Sequence, residues 1–186
     1  MLQWIAFAVI ILCWVLWSLA FVRPSRQAAD RKEVAQSSSS RWGIVLVMIS
    51  FALLFTYVRP NGFHKSAPEF IAGILLAPPS VALAWAATRR LGKQWRYAAA
   101  LREDHELITT GPYRRIRHPI YASMFGMLLA TGLCWTWWPQ FLASIVFFIA
   151  GTEVRIRAED RLLESHFQDV FRAYRARTPA WIPFLR

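Results

Sequence analysis

Cysteine, acid and glycine are all scarce in this sequence. Its two cysteines, Cys13 and Cys134, each lie inside an apolar block, which gives neither a disulfide framework nor a thiolate metal site. Acidic residues number 11 against 22 basic ones, and charged residues make up only 18% of the chain, too few for a disordered polyelectrolyte. No glycine-rich phosphate loop, dinucleotide fingerprint or Ser/His/Asp arrangement occurs. The histidines do not form a metal set. His105 and His118 share one loop, His64 falls on the opposite face of the topology argued below, and His166 has no second ligand at coordinating spacing. There is no internal repeat and no nucleic-acid-binding motif.

What the sequence has in excess is apolar residues, 56% of its 186 positions, with 10 Trp and 13 Phe. They come in long blocks rather than at amphipathic spacing, which reads as an integral membrane protein of one domain. Leu2–Val22 carries no charge and is long enough to cross a hydrocarbon core, which takes about 20 helical residues. It has no basic residue in front and is followed by Arg23-Pro24, so it reads as an anchor rather than a cleaved leader. Trp42–Val58 and Phe70–Thr88 are a second and third span, the third with a kink expected at Pro78-Pro79. Ile120–Thr152 is too long for one span and is punctuated by Trp135-Thr136-Trp137-Trp138 and then Pro139-Gln140. It reads as two helices in a tight hairpin, with Trp137 and Trp138 at an interface that favours indoles. The expectation is five membrane helices.

The basic residues support that count. Arg23 to Arg41, Arg89 to Arg117 and Arg155 to Arg186 together hold 20 of the 22, and only Arg59 and Lys65 fall on the other face. The positive-inside rule then puts the N-terminus outside and the C-terminus in the cytoplasm. Four or six spans would break the segregation. The positive charge therefore implies attraction to anionic membrane lipid, at about 1 kcal/mol for each residue near the surface, and not nucleic acid.

Two cytoplasmic segments are more specific than topology requires. Leu91–Tyr121 contains His105-Glu106-Leu107-Ile108, then Gly111-Pro112-Tyr113, then Arg117-His118-Pro119-Ile120-Tyr121. Gly111-Pro112 signals a turn, and Pro119 suits the first turn of a helix, where its missing N–H costs nothing. In Glu153–Tyr174, residues Ile156, Leu163, Phe167, Val170, Phe171 and Tyr174 recur at helical spacing as one apolar stripe. Glu159 and Asp160 interrupt that stripe, and Arg155 stands four before Glu159. Acids on the buried face of a helix leaving a membrane are expensive unless paired or used. A local Arg155–Glu159 ion pair and a polar contact to a ligand are both open at this point.

In this order and spacing, the two segments resemble the isoprenylcysteine carboxyl methyltransferase family, itself related to membrane phospholipid N-methyltransferases. The resemblance covers about half the chain, from Leu91 to Leu185. It rests on the three clusters above, on Arg155-Ile156-Arg157-Ala158-Glu159-Asp160, and on the tail from Tyr174 through Pro179 to Ile182-Pro183-Phe184. It implies an all-α membrane bundle with a cytoplasmic region, formed by the loop before helix 4 and the C-terminal helix, that binds S-adenosylmethionine. Residues 1–88 would be three N-terminal membrane helices with a basic cytoplasmic loop, and residues 89–186 the methyltransferase core.

Family roles pass to matching positions. His105, Leu107 and Ile108 would line the cofactor, with Gly111, Pro112 and Tyr113 beside it. His118, Pro119 and Tyr121 would surround its polar end, Glu159 and Asp160 would bind it, and Arg155 would face the substrate carboxylate. Two departures stand out. The second acid of the family's Glu-Glu pair is Asp160 here, and a family glutamine falls near Ala98, with Gln94 the nearest substitute. The implied activity is carboxyl O-methylation of a lipidic or prenylated acceptor. The rivals are a phospholipid amine acceptor, an NADPH-dependent membrane reductase, and a non-enzymatic scaffold binding anionic lipid.

Overall fold

The computed structural model describes residues 1–22, 33–36, 40–56, 60, 63–92, 100–102 and 106–181. Five α-helices account for most of these: α1 (Leu2–Leu19), α2 (Ser40–Phe55), α3 (Ala67–Leu91), α4 (Pro119–Trp135) and α5 (Trp138–Arg177). A 3-10 turn, Gly111–Arg114, precedes α4. The helical fold expected from the sequence is present. It is supplemented by one short antiparallel ladder between β1 (Glu33–Gln36) and β2 (Ala100–Arg102), which joins the loop after α1 to the loop after α3.

Long-range contacts set the directions of the helices. Phe7 meets Phe70 and the Trp85 indole donates to the Leu16 carbonyl, so α1 and α3 run parallel. Trp14 and Trp17 donate across to Thr131 and Ser123, which makes α4 antiparallel to α1. Thr136 donates to the Leu54 carbonyl while Gly43 faces Gly151, which makes α2 antiparallel to the start of α5. The ends near Leu19, Ser40, Leu91 and Pro119 therefore share one end of the bundle. Arg89, Arg90, Arg114, Arg115 and Arg117 lie there too, while Lys65 pairs with Glu69 at the other end.

Close backbone approach fixes the pairing. A Cβ on Gly43 would stand 2.7 Å from the Gly151 oxygen, and one on Gly151 would stand 2.7 Å from the Gly43 oxygen. Small residues at such crossings let membrane helices pack where no aqueous hydrophobic effect drives them together. Outward-facing side chains such as Trp4, Ile11, Leu12, Met48, Leu75, Leu142 and Val146 are exposed on α1, α2, α3 and α5. Helices α1 and α3 are long and apolar enough to cross a membrane, and α2 and α4 are shorter apolar helices.

The structure refines three boundaries. The hairpin turn is Thr136–Trp137, and Pro139 lies in the first turn of α5 instead of punctuating the chain. Helix α3 continues through Pro78-Pro79, with the Ser80 hydroxyl bonding the Leu76 carbonyl at 2.8 Å. Helix α5 runs unbroken from the apolar hairpin past Glu153, so the segment expected as a fifth span and the C-terminal helix are one element. It breaks only at Gln168, whose φ of 46° and ψ of −120° are non-helical. The apolar stripe expected from the sequence holds across that break at Ile156, Leu163, Phe167, Phe171 and Tyr174 and fails at Val170 alone. Phe171 and Tyr174 are buried, whereas Val170 is 65% exposed.

Candidate functional site

The loop before α4 is shaped by its own chemistry. Gly111 takes φ +64°, a conformation that favours glycine, and Pro112 sets φ for the 3-10 turn that follows. The turn buries Tyr113. Arg117 and His118 then lead into α4, with His118 at the N-cap and Pro119 first in the helix, as the sequence indicates.

Helix α5 faces this loop with Arg155, Glu159 and Asp160. Positions four apart share a face, so Arg155 reaches Glu159, with Nη2 to Oε1 at 3.3 Å. Arg155 Nε also donates to the Tyr121 hydroxyl at 2.6 Å, and that hydroxyl donates to Glu159 Oε1. Asp160, one step further round, points toward the loop. Its Oδ2 accepts from Arg117 Nη1 at 2.6 Å, and its Oδ1 lies 3.0 Å from His118 Nε2. The other imidazole nitrogen, Nδ1, is 3.3 Å from Glu159 Oε2. His118 thus spans the two carboxylates, and a single network links Arg117, Asp160, His118, Glu159, Tyr121 and Arg155.

Burial alone would discharge these groups, and the network prevents it. Desolvation opposes a charge on His118, yet the hydrogen bonds and charges of Asp160 and Glu159 outweigh it and push the imidazole up to about 9. Desolvation likewise raises Glu159 and Asp160. For Glu159 it is outweighed first by the His118 bond and for Asp160 by His118 and then Arg117, so both carboxyls stay below their ordinary range. At neutral pH three cations, Arg117, His118 and Arg155, surround two anions. Among the described residues this cluster carries one net positive charge in a buried setting.

Two polar atoms near the network have no hydrogen-bond partner among the described residues, the Tyr113 hydroxyl and Arg117 Nε. Burial, followed by the charge of Glu159, pushes the Tyr113 phenol far up, so it stays a neutral donor. Leu107 and Ile108 are half-buried ahead of the turn, and Gly111 is exposed beneath the Arg90 side chain.

Of the residues expected from sequence, Tyr121, His118, Arg155, Glu159 and Asp160 come together directly. Tyr113 is close enough to feel the charge of Glu159. Leu107, Ile108, Gly111, Pro112 and Pro119 line the same loop, and His105 lies outside the described residues, as do Gln94 and Ala98. The local Arg155–Glu159 pair exists and is also part of the larger cluster. Arg117 was assigned no role from sequence because its partner, Asp160, is 43 positions away. Gly43 was missed as well. It lets α2 pass so close that a Cβ there would stand 2.6 Å from Arg155 Cγ.

The family model described as phospholipid methyltransferase matches residues 68–170, a span that contains every member of the polar network. The chain is 31% identical over 147 residues to the cobalt-zinc-cadmium resistance protein CzcN of Cupriavidus metallidurans, covering 77% of this chain and 62% of that protein. It is 29% identical over 145 residues to the nickel-cobalt-cadmium resistance protein NccN of Alcaligenes xylosoxydans xylosoxydans, covering 77% and 63%. The chain spans only about three-fifths of the length of these two relatives. A 91-residue stretch is 34% identical to the protein-S-isoprenylcysteine O-methyltransferase of Schizosaccharomyces pombe, covering 47% of this chain and 37% of that enzyme.

Proposed function

The chain belongs to the phospholipid methyltransferase family, and from that premise we propose that it transfers a methyl group from S-adenosylmethionine to the carboxylate of a lipidic acceptor at the cytoplasmic membrane face. The observation that carries this reading is the buried cluster of Arg117, His118, Arg155, Glu159 and Asp160 at the basic end of an apolar bundle. Its one net positive charge favours an anionic acceptor. In the proposed topology all five helices cross the membrane and the N-terminus is outside. Residues 1–88 then anchor a core formed by 89–186. Arg155 lies about 25 Å along α5 from Trp138, so an α5 anchored by Trp138 at the outer interface carries Arg155 close to the inner boundary of a core about 30 Å thick.

The donor set fits the cofactor. A sulfonium and an amino group call for carboxylates, and Glu159 is partly exposed within the cluster. The Tyr113 hydroxyl is a buried donor with no partner among the described residues, suited to a cofactor carboxylate or hydroxyl. Half-buried Leu107 and Ile108 offer an apolar surface for a purine. His105, Gly111 and Pro112 complete the cofactor side in this reading, with Pro119 packed behind them. When bound, S-adenosylmethionine supplies an electrophilic methyl, and displacement by a carboxylate oxygen leaves a neutral thioether.

The protein's own residues then have limited tasks. A carboxylate acceptor is already ionised at neutral pH, so no side chain need remove a proton. Arg155, oriented by Tyr121 and Glu159, holds the acceptor, and the planar guanidinium suits a carboxylate. His118 and Asp160 hold Glu159 in place. The closely packed helices dry the site and align the reactants, the main source of rate for a displacement that uses no acid or base.

A phospholipid amine acceptor is the second reading, and the family description itself favours it. It requires a proton acceptor, for which the Tyr121–Glu159 pair is the available group. One experiment addresses both readings. Purified protein in nanodiscs receives methyl-labelled S-adenosylmethionine and a lipid extract, and labelled product is treated with base. A methyl ester releases volatile methanol, whereas an N-methyl group is retained. The expected result is base-labile label in wild type and none in Glu159→Gln, with cofactor binding by calorimetry weakened at least about tenfold in that variant. Base-stable label moves the acceptor to an amine. Saturable NADPH binding without S-adenosylmethionine binding refutes the methyltransferase reading.

A further inference from the structure

The C-terminal tail has a task that neither the catalytic cluster nor the membrane helices account for. After the break at Gln168, α5 buries Phe171 and Tyr174, and the Tyr174 hydroxyl donates to the Tyr113 carbonyl at 2.5 Å. Helix α5 then ends at Thr178, which is buried, and the chain turns back along the loop before α4. Its carbonyls accept two backbone bonds, from Arg117 N–H to Pro179 O at 2.9 Å and from His118 N–H to Ala180 O at 2.8 Å. Trp181 follows and is only 5% exposed. Its ring meets Phe125 of α4 edge-on at 5.3 Å and Phe148 of α5 at 6.0 Å.

We propose that Trp181 is a positioning residue that anchors residues 178–181 as a strap over the loop, holding the Arg117–His118 backbone and thereby the placement of His118 between Glu159 and Asp160. The N–H groups at a helix start have no partner within the helix and usually find one in a capping side chain. No side-chain cap bond is present at His118, and the strap carbonyls pair the N–H groups of the two residues just ahead of the helix, which a cap side chain would not reach. A segment without regular secondary structure keeps one position only where contacts tie it down. The indole of Trp181, wedged between one ring from each helix of the hairpin, is that tie. Because Arg117 and His118 are the two residues that grip Asp160, a slack strap moves both grips together.

The inference rests on the proposed cofactor role only for one of its two readouts. The test uses full-length protein in nanodiscs with isotope-labelled histidine. It compares wild type, Trp181→Ala, Trp181→Phe and Phe125→Leu by imidazole NMR and by calorimetric titration with S-adenosylmethionine. In wild type the His118 ring stays doubly protonated at pH 8. In Trp181→Ala its signals shift toward the neutral form or broaden, and cofactor affinity falls at least about tenfold, while Trp181→Phe restores most of both. Phe125→Leu, which removes one ring of the box and leaves the tail intact, gives a smaller change in the same direction and carries the test if Trp181→Ala fails to fold. An unchanged His118 spectrum in a folded Trp181→Ala or Phe125→Leu variant overturns the strap. A shifted His118 spectrum in protein whose wild type binds no S-adenosylmethionine leaves the strap standing and refutes the cofactor reading instead.

Discussion

His118 Nε2 stands 3.0 Å from Asp160 Oδ1, and the same ring reaches Glu159 with its other nitrogen, so one imidazolium joins two carboxylates on adjacent positions of α5. The pH dependence of stability follows from the direction of each shift. A histidine held at about 9 in the folded state, above its ordinary 6.5, contributes stability that is fully present below pH 6.5 and lost as pH rises through 9. Glu159 and Asp160 are held low, so their contribution is present above the ordinary carboxylate range and lost on acidification. The expected loss between pH 6.5 and 9.5 is on the order of 3 kcal/mol, shared across the network. Thermal unfolding in detergent across that range checks it. His118→Gln is less stable at pH 6.5 and nearly flat to pH 9.5, and a flat wild-type profile contradicts the imidazolium bridge.

Arg155 makes a different kind of contact. Its Nε and Nη2 address Tyr121 and Glu159 separately, a forked geometry that an ammonium cannot reproduce. Arg155→Lys keeps the charge and loses the fork. The expected outcome is a fall in kcat/KM for the lipid acceptor of at least about a hundredfold, with the S-adenosylmethionine Kd changed less than about threefold. Equal losses in both would place Arg155 on the cofactor side instead.

Much of this arrangement was legible in the sequence, and the gaps have physical causes. Most helices announce themselves as apolar blocks, and Pro119 marks the start of α4 because its missing N–H costs nothing in the first turn. Arg155 and Glu159 are four apart, so their pairing is a local fact. Arg117 and Asp160 pair across 43 positions, and nothing local reports that. The Gln168 break has no sequence signal because glutamine does not announce positive φ, and the apolar stripe across it holds except at Val170. Trp181 carries no local signal either, because its partners Phe125 and Phe148 lie 56 and 33 positions away.

Gly43 was unreadable for the same reason, since its importance comes from what lies across the helix pair. A methyl group there meets Arg155 Cγ at 2.6 Å and the Gly151 carbonyl at 2.7 Å, and the carbonyl is backbone and cannot swing away. Gly43→Ala must spread α2 from α5 or displace the Arg155 stem. The expected cost is about 1–3 kcal/mol, seen as a lower unfolding midpoint, together with reduced methyl transfer. Full stability with full activity in this variant would mean that α2 does not seat against Arg155 as described.

Tyr113 separates structural from functional burial most cleanly. Its ring is buried and its hydroxyl has no partner among the described residues, so the hydroxyl is a desolvated donor that these residues do not use. Removing it in Tyr113→Phe keeps the ring packing and deletes an unsatisfied group, a change that is neutral or stabilising by up to about 1 kcal/mol. A hydroxyl that binds the cofactor behaves in the opposite way, and its loss weakens binding by about 1 kcal/mol, or five- to tenfold in Kd. The two measurements, unfolding midpoint and calorimetric S-adenosylmethionine affinity, are expected to move in opposite senses. A lower midpoint with unchanged affinity would show that the hydroxyl serves the fold after all. Equal affinity at an equal or higher midpoint would remove Tyr113 from the cofactor site, leaving Glu159 as the group that must hold it.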